Sequence, residues 1–199
     1  MLVVLHGRGD SPAGFTWLQG QLNIDGLNVL LLQAPDDYYG GYSWYGMPPD
    51  QLPGIQRSRV LLDQVFQQIT KSGFPADRCL LFGFSQGCLM TLEFGSRFFL
   101  PLAGYIGISG YAYDPDLILK EASKAVMLAP WLITHGTQDE VISVETTRAQ
   151  MKTLIAGGFK IEYREYEKTH TIDDQKELPY LEAWIRERMG SSSPSSPGQ

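Results

Sequence analysis

Five short, continuously apolar runs alternate with longer segments of helical periodicity, and this alternation constrains the fold more than any other feature. The runs lie at residues 2–5, 29–32, 79–82, 105–108 and 131–134. Continuous apolarity is typical of strands that are buried on both faces of a parallel sheet. A sixth run, at 160–166, alternates polar and apolar residues and therefore predicts an edge or half-exposed strand.

Amphipathic stretches between these runs predict the helices. In segment 55–70 apolar residues recur at helical spacing, and the same holds in segments 146–156 and 178–189. The candidate core residues of the first stretch are Val60, Leu61, Val65, Phe66 and Ile69. The order of strands and helices predicts an α/β fold: a mostly parallel central sheet with right-handed crossovers and helices on both faces.

Two stretches lack this periodicity. Residues 36–54 carry four tyrosines and a tryptophan among glycines and prolines, and we expect a long ordered loop there. The final segment, 190–199, contains only Gly, Ser, Pro and Gln and is predicted to be a disordered tail. The expected organisation is therefore one domain over residues 1–189 followed by that tail.

Composition narrows the function classes. The 199 residues include 22 acidic and 16 basic side chains, a net charge of -6, so a nucleic-acid partner is not expected. No apolar run reaches the roughly 18 to 20 residues that span a bilayer. Two cysteines are too few for a disulfide framework or a four-cysteine metal site, so we expect no metal and a cytoplasmic protein. A homodimer is left open.

The sequence Gly83-Phe84-Ser85-Gln86-Gly87 is a G-x-S-x-G motif between a predicted strand and a helical pattern over 88–99. In that context a sharp turn holds the serine hydroxyl above the sheet, at the start of a helix. The alternative is a glycine-rich turn that contains a serine by chance. The flanking strand and helix favour Ser85 as a nucleophile.

A serine nucleophile needs a base, and in this strand–turn–helix context the chain order is serine, acid, histidine. Of the three histidines, only His170 follows both Ser85 and a candidate acid. The other two, His6 and His135, precede glycines at strand ends, and we interpret both as structural side chains that bind loop backbone.

The acid is expected on the loop after the penultimate strand. Asp139 is the preferred candidate and Glu140 the fallback, while Asp173 and Asp174 follow His170 and resemble the first turn of the last helix. An acid in this position orients the imidazole and stabilises its protonated form.

Two backbone N–H groups should bind the oxyanion of the tetrahedral intermediate. The residue after the nucleophile, Gln86, is expected to supply one of them. The other is expected from Arg8 in the turn His6-Gly7-Arg8-Gly9, where flanking glycines let the backbone approach a ligand.

Together these motifs resemble the phospholipase/carboxylesterase family, which includes acyl-protein thioesterases and small bacterial carboxylesterases. The resemblance rests on the motifs His-Gly-x-Gly at 6–9, Ser-Trp-Tyr at 43–45, Gly-Phe-Ser-Gln-Gly at 83–87, Gly-Ile-Ser-Gly at 107–110, His-Gly-x-x-Asp at 135–139 and a late His170. It implies an α/β-hydrolase fold and a cofactor-free serine hydrolase. The implied site comprises Ser85, Asp139 and His170, with the amides of Arg8 and Gln86 as oxyanion hole.

Four features depart from the family pattern. The family's first strands are reduced or missing, which implies either a smaller sheet edge or a late start of the chain. Arg8 stands where an apolar residue is usual, Cys88 replaces a second glycine after the serine motif, and Thr169 replaces the glycine before His170.

The expected substrate is a small acyl ester or thioester. Because the chain has no room for a large cap domain, we expect a shallow, open site with Trp44 and Tyr45 lining the acyl groove; surface packing of these aromatics is the alternative. A non-catalytic ligand- or partner-binding protein, and a peptidase or lactonase with the same residues, are the other functions considered.

Overall fold

The computed structural model describes residues 1–190, with six parallel strands in its central sheet. The predicted tail at 190–199 therefore lies almost entirely outside the described residues. The strands of the central sheet run in the order β2-β1-β5-β6-β7-β8. Their bounds are β1 Leu2–Leu5, β2 Val29–Leu32, β5 Leu80–Phe84, β6 Gly104–Ile108, β7 Trp131–Gly136 and β8 Ile161–Tyr166. Each lies within two residues of a predicted strand.

Within residues 1–190, seven α-helices connect the strands and cover the sheet. They are α1 Trp17–Leu22, α2 Gln51–Lys71, α3 Gln86–Gly95, α4 Pro115–Glu121, α5 Lys124–Leu128, α6 Val144–Ala156 and α7 Glu177–Met189. Short 3₁₀ turns lie at Pro12–Phe15 and Ala76–Arg78. No helix within residues 1–190 is long and apolar enough to cross a membrane.

The inner strands β1, β5, β6 and β7 are buried on both faces, as their continuously apolar sequences predict. The same prediction is wrong for β2, which is only half-buried because it lies at the edge of the sheet. In β1, Val3 and Leu5 belong to one core cluster, and Leu2 and Val4 belong to the other. The first cluster includes residues of α2, α3 and α6, whereas the second includes residues of α1 and α7. Helices therefore pack against both faces of the sheet and hold it in place. The loops at the carboxyl ends of its strands start from this fixed sheet.

The prediction for residues 36–54 is wrong. The segment contains an antiparallel hairpin, β3 Asp36–Tyr38 paired with β4 Gly41–Ser43, and the first turn of α2. Main-chain bonds join this hairpin to the turn after β1: the Gly9 N–H donates to the Tyr42 carbonyl and the Tyr42 N–H to the Asp10 carbonyl, both at 2.8 Å. The aromatic segment is thereby anchored beside that turn.

The predicted inner face of α2 is also partly wrong. Val60 is 58% exposed and Leu61 37% exposed, whereas Leu62 is buried beside Phe66 and Ile69. Because a helix turns through about 100° per residue, three adjacent apolar residues at 60–62 cannot all face the core. The sequence pattern did not separate the inner one from the outer two.

Candidate active site

Ser85 occupies the sharp turn between β5 and α3. Its backbone has φ 54° and ψ -113°, in the left-handed half of conformational space that a residue with a side chain rarely adopts. The turn is close-packed, because a Cβ added to Gly87 would lie 2.2 Å from the Leu5 carbonyl oxygen. The strained backbone is thus held by contact between α3 and the end of β1.

The side chains of Ser85, His170 and Asp139 form one chain of hydrogen bonds. The Ser85 Oγ lies 2.9 Å from His170 Nε2, and His170 Nδ1 lies 2.7 Å from Asp139 Oδ2. His170 follows β8 and Asp139 follows β7, and both loops lie at the carboxyl edge of the parallel sheet. Loops at that edge commonly carry function in open α/β sheets.

Asp139 is held as a carboxylate. Burial would raise its pKa, but the N–H groups of Ile142 and Val141 donate to Oδ1 at 2.9 Å, and His170 bonds the carboxylate as well. These interactions outweigh burial and lower the pKa of Asp139. The neighbouring candidate Glu140 is exposed, and Asp173 accepts bonds from the Gln175 and Lys176 N–H groups next to α7.

The other two histidines bind loop backbone. His6 Nδ1 lies 2.6 Å from the Gly7 carbonyl, and its Nε2 accepts from the Ala34 N–H at 3.1 Å. His135 Nε2 lies 2.9 Å from the Ile142 carbonyl and 3.4 Å from Asp139 Oδ2. Burial is the main cause that lowers the pKa of both imidazoles, so both are held neutral.

The two predicted oxyanion donors lie next to Ser85. Gln86 is the first residue of α3, and a Cβ added to Gly7 would lie 3.4 Å from Ser85 Cβ, which places the turn with Arg8 against the serine. Within residues 1–190, neither the Arg8 nor the Gln86 N–H donates to a protein acceptor. Both amides are therefore available to a ligand oxygen.

The side chain of Gln86 has a further contact that the sequence did not reveal. Its Nε2 donates to the Tyr45 carbonyl at 2.7 Å and to Ser43 Oγ at 3.0 Å, and its Oε1 accepts from the Trp44 N–H at 2.7 Å. The residues Trp44 and Tyr45 are each only 2% exposed, so their contact with a substrate stays a prediction. The Gln86 side chain thereby links the residues of the predicted acyl groove, Trp44 and Tyr45, to the turn that holds Ser85.

A buried ion pair lies beneath the His170 loop, and no motif marked it in advance. The Lys168 ammonium donates to both Glu177 carboxylate oxygens, at 2.8 and 2.6 Å, and to the Thr171 carbonyl at 2.7 Å. Glu177 also accepts from Thr134 Oγ1 at 2.5 Å and from the Asp173 N–H at 3.0 Å. The pair therefore binds residues on both sides of His170 to β7 and α7.

Cys88 is a buried core residue. Burial raises the pKa of its thiol to about 12, so the thiolate is not populated near neutral pH. In the described residues both cysteines are free and buried.

Comparisons with known proteins agree with this architecture. A family model described as Phospholipase/Carboxylesterase matches residues 1–187. An acyl-protein thioesterase 1 from Yarrowia lipolytica is 29% identical and covers 94% of this chain and 91% of its own length. The carboxylesterase SOBER1 from Arabidopsis thaliana is 26% identical, and the match covers 95% of this chain and 90% of that protein.

Solved structures show the same fold. The crystal structure of Arabidopsis thaliana SOBER1 superposes with a TM-score of 0.85 at 26% identity, covering 95% of this chain and 98% of that chain. Esterase PE8 gives 0.81 at 28% identity, covering 94% and 91%. The parallel sheet flanked by helices is therefore the α/β-hydrolase fold, which confirms the predicted fold class.

Proposed function

Because this chain belongs to the phospholipase/carboxylesterase family and is a hydrolase, we propose that it cleaves acyl esters or thioesters through an acyl-Ser85 intermediate. The observation that carries the proposal is the chain of hydrogen bonds from Ser85 through His170 to Asp139, at 2.9 and 2.7 Å. This short Ser85–His170 distance also argues against the non-catalytic alternative.

In the first half of the reaction His170 is the general base. Its Nε2 takes the proton from Ser85 Oγ as the oxygen attacks the acyl carbon, and Asp139 stabilises the imidazolium that forms. The carbonyl oxygen becomes an oxyanion, which the N–H groups of Arg8 and Gln86 bind. His170 then donates its proton to the departing alcohol or thiol, which leaves an acyl-serine.

In the second half a water replaces the alcohol or thiol. His170 removes a proton from the water, whose oxygen attacks the acyl-serine carbonyl through a second tetrahedral intermediate. Collapse of that intermediate returns the proton to Ser85 Oγ and releases the carboxylic acid. No cofactor is needed in this scheme, and every proton transfer passes through His170.

Labelling with a fluorophosphonate probe tests the proposal. We expect intact-mass analysis to show one label, located on Ser85. The S85A variant should lose the label and at least about a thousandfold of the esterase rate on p-nitrophenyl butyrate.

Ser109 provides the matched control. It is a buried serine that also has a positive φ, 51°, and it directly follows the neighbouring strand β6. The S109A variant should keep the label on Ser85. A folded protein that takes no label at Ser85, or an S85A variant with its full rate, would contradict the proposal.

A further inference from the structure

The Arg8 side chain lies beside the proposed site and among aromatic rings. Its guanidinium carbon is 5.7 Å from the centre of the Tyr38 ring and 6.0 Å from that of Tyr45. Its Nη1 contacts the Met47 sulfur, a weak acceptor. The guanidinium is thus partly removed from water and held over two rings, although its charge is not neutralised by them.

Among the described residues, the Arg8 side chain lacks an acidic partner. Every salt bridge within residues 1–190 that involves an arginine is formed by an arginine other than Arg8. Its Nε is buried and has no hydrogen-bond partner among the described residues. In contrast to Arg8, several other arginines form a salt bridge with a carboxylate: Arg57, Arg97, Arg148, Arg164, Arg186 and Arg188.

We propose that the Arg8 guanidinium binds an oxyanionic group of the substrate, a carboxylate or a phosphate, so that the enzyme prefers acyl esters or thioesters carrying such a group. This inference rests on the proposed function of the site. In that mechanism the Arg8 N–H binds the oxyanion, so the anionic group has to lie within the length of one arginine side chain from the scissile carbonyl.

Two physical arguments support an anionic ligand. A guanidinium offers a planar fork of N–H donors that matches two oxygens of a carboxylate or phosphate, and partial desolvation strengthens the bond. The chain as a whole carries a net charge of -6, which repels anionic substrates. A local unpaired cation at the site reverses that repulsion where it matters for binding.

Matched substrate pairs test the proposal. On the acyl side p-nitrophenyl hemisuccinate is compared with p-nitrophenyl butyrate, since the two differ by a carboxylate in place of a methyl group. On the leaving-group side S-butyryl-3-mercaptopropionate is compared with S-butyryl-propanethiol. Butyrylglycerol phosphate compared with butyrylglycerol tests a phosphate.

The measured quantity is the ratio of kcat/KM for the anionic substrate to that for its neutral partner. In at least one pair we expect R8Q to lower this ratio about tenfold or more, and R8K to restore part of it. The pair that responds identifies the anion and its side of the scissile bond. The K152Q variant removes the same charge at an exposed position on α6 and should leave the ratio unchanged.

Two measurements keep the test decisive. For the wild-type enzyme about 1 M NaCl should lower the ratio, because salt screens a partly exposed charge pair; this holds even if R8Q does not fold. Calorimetric binding of the hemisuccinate to S85A, with and without R8Q, needs no turnover.

The outcomes are distinguishable. An unchanged ratio in R8Q for all three pairs, with no salt effect, would overturn the role of Arg8 while leaving the proposed function intact. Absence of fluorophosphonate labelling at Ser85 would overturn the proposed function. In that case the calorimetric comparison alone decides whether Arg8 binds an anion.

Discussion

Lys168 and Arg8, two cations near the Ser85–His170 pair, have opposite surroundings. The Lys168 side chain is only 2% exposed, and all its hydrogen bonds go to Glu177 and the Thr171 carbonyl. Arg8 lies on the turn beside Ser85, is partly exposed, and has aromatic rings and a thioether for neighbours. One charge is neutralised inside the protein and the other is not.

This difference in surroundings indicates different roles: Lys168 stabilises the structure, whereas Arg8 is proposed to bind the substrate. Burial of the Lys168 ammonium lowers its pKa, and Glu177 opposes that effect, so the two charges depend on each other. Their shared bonds hold the loop of His170, so under the proposed mechanism Lys168 and Glu177 are positioning residues for His170. A charge without an internal partner contributes little to folding and remains available to a ligand.

The K168M variant should give the largest effect on stability. It leaves the buried Glu177 carboxylate without its cation, and breaking a buried pair in this way costs about 3 to 5 kcal/mol. The free energy of unfolding from urea titration measures this loss. The matched variant R8M removes the other cation and should cost about 1 kcal/mol or less.

The double variant K168M/E177M should recover part of the loss, because it removes both buried charges. Recovery stays incomplete, since Thr134 Oγ1 and the Asp173 N–H lose their acceptor. If K168M and R8M were equally destabilising, the distinction between a neutralised and a free cation would be wrong.

Neutral hydrogen bonds of the Gln86 side chain, rather than an ion pair, hold Tyr45 beside Arg8. The Q86L variant tests the contribution of these bonds. It leaves the buried Trp44 N–H without its acceptor and removes one of the two donors to the Tyr45 carbonyl, which keeps its bond from Ser43 Oγ. The expected cost is about 2 kcal/mol of stability. Since Tyr45 faces the Arg8 guanidinium, the preference for anionic substrates should fall as well.

The control for Q86L is S58A, which removes only the 2.6 Å bond from Ser58 Oγ to the Trp44 carbonyl. It should cost about 1 kcal/mol and leave the substrate ratio near that of the wild type. Equal changes in the ratio for Q86L and S58A would show that Gln86 has no special role in placing Tyr45.

The central sheet could be predicted because burial on both faces leaves continuous apolar runs in the sequence, as in β1 and β7. The short helices α1, α4 and α5 were not predicted, because five to seven residues are too few to show a helical period. The hairpin β3–β4 was not predicted either, since its glycines and exposed Tyr39 gave no alternation to follow.

At the site, residue type and chain order were enough to select Ser85, Asp139 and His170, whose side chains the structure brings together. Their roles remain part of the proposal. The Lys168–Glu177 pair could not be predicted, because both residue types are usually exposed and nothing local marks them as buried. Only the packing of α7 against the sheet brings Glu177 to Lys168.

The two structural histidines give the smallest expected effect and extend the comparison to pH. His6, before the Arg8 turn, is 1% exposed, and its Nε2 has to accept from the Ala34 N–H. Protonation turns that nitrogen into a donor and breaks the bond, and Asp10 is the acid that partly offsets the charge. His135 has Asp139 Oδ2 3.4 Å away, but burial is the larger effect and lowers the pKa of His135 as well.

The pKa of His6 is lowered on folding, so its neutral form is favoured in the folded state. The unfolded chain takes up the proton first as pH falls through about 6.5, and stability present above that pH is lost towards the lower folded pKa. As the pH is lowered from about 7.5 to about 5.5, we therefore expect urea titrations to show a falling free energy of unfolding, part of it from His6. In H6N the part that comes from His6 should disappear, whatever the variant costs at pH 7.5, and H135N should keep that part while losing its own. A wild-type stability that does not change over this range, or an H6N variant that keeps the full wild-type slope, would show that the bond from the Ala34 N–H does not hold His6 neutral.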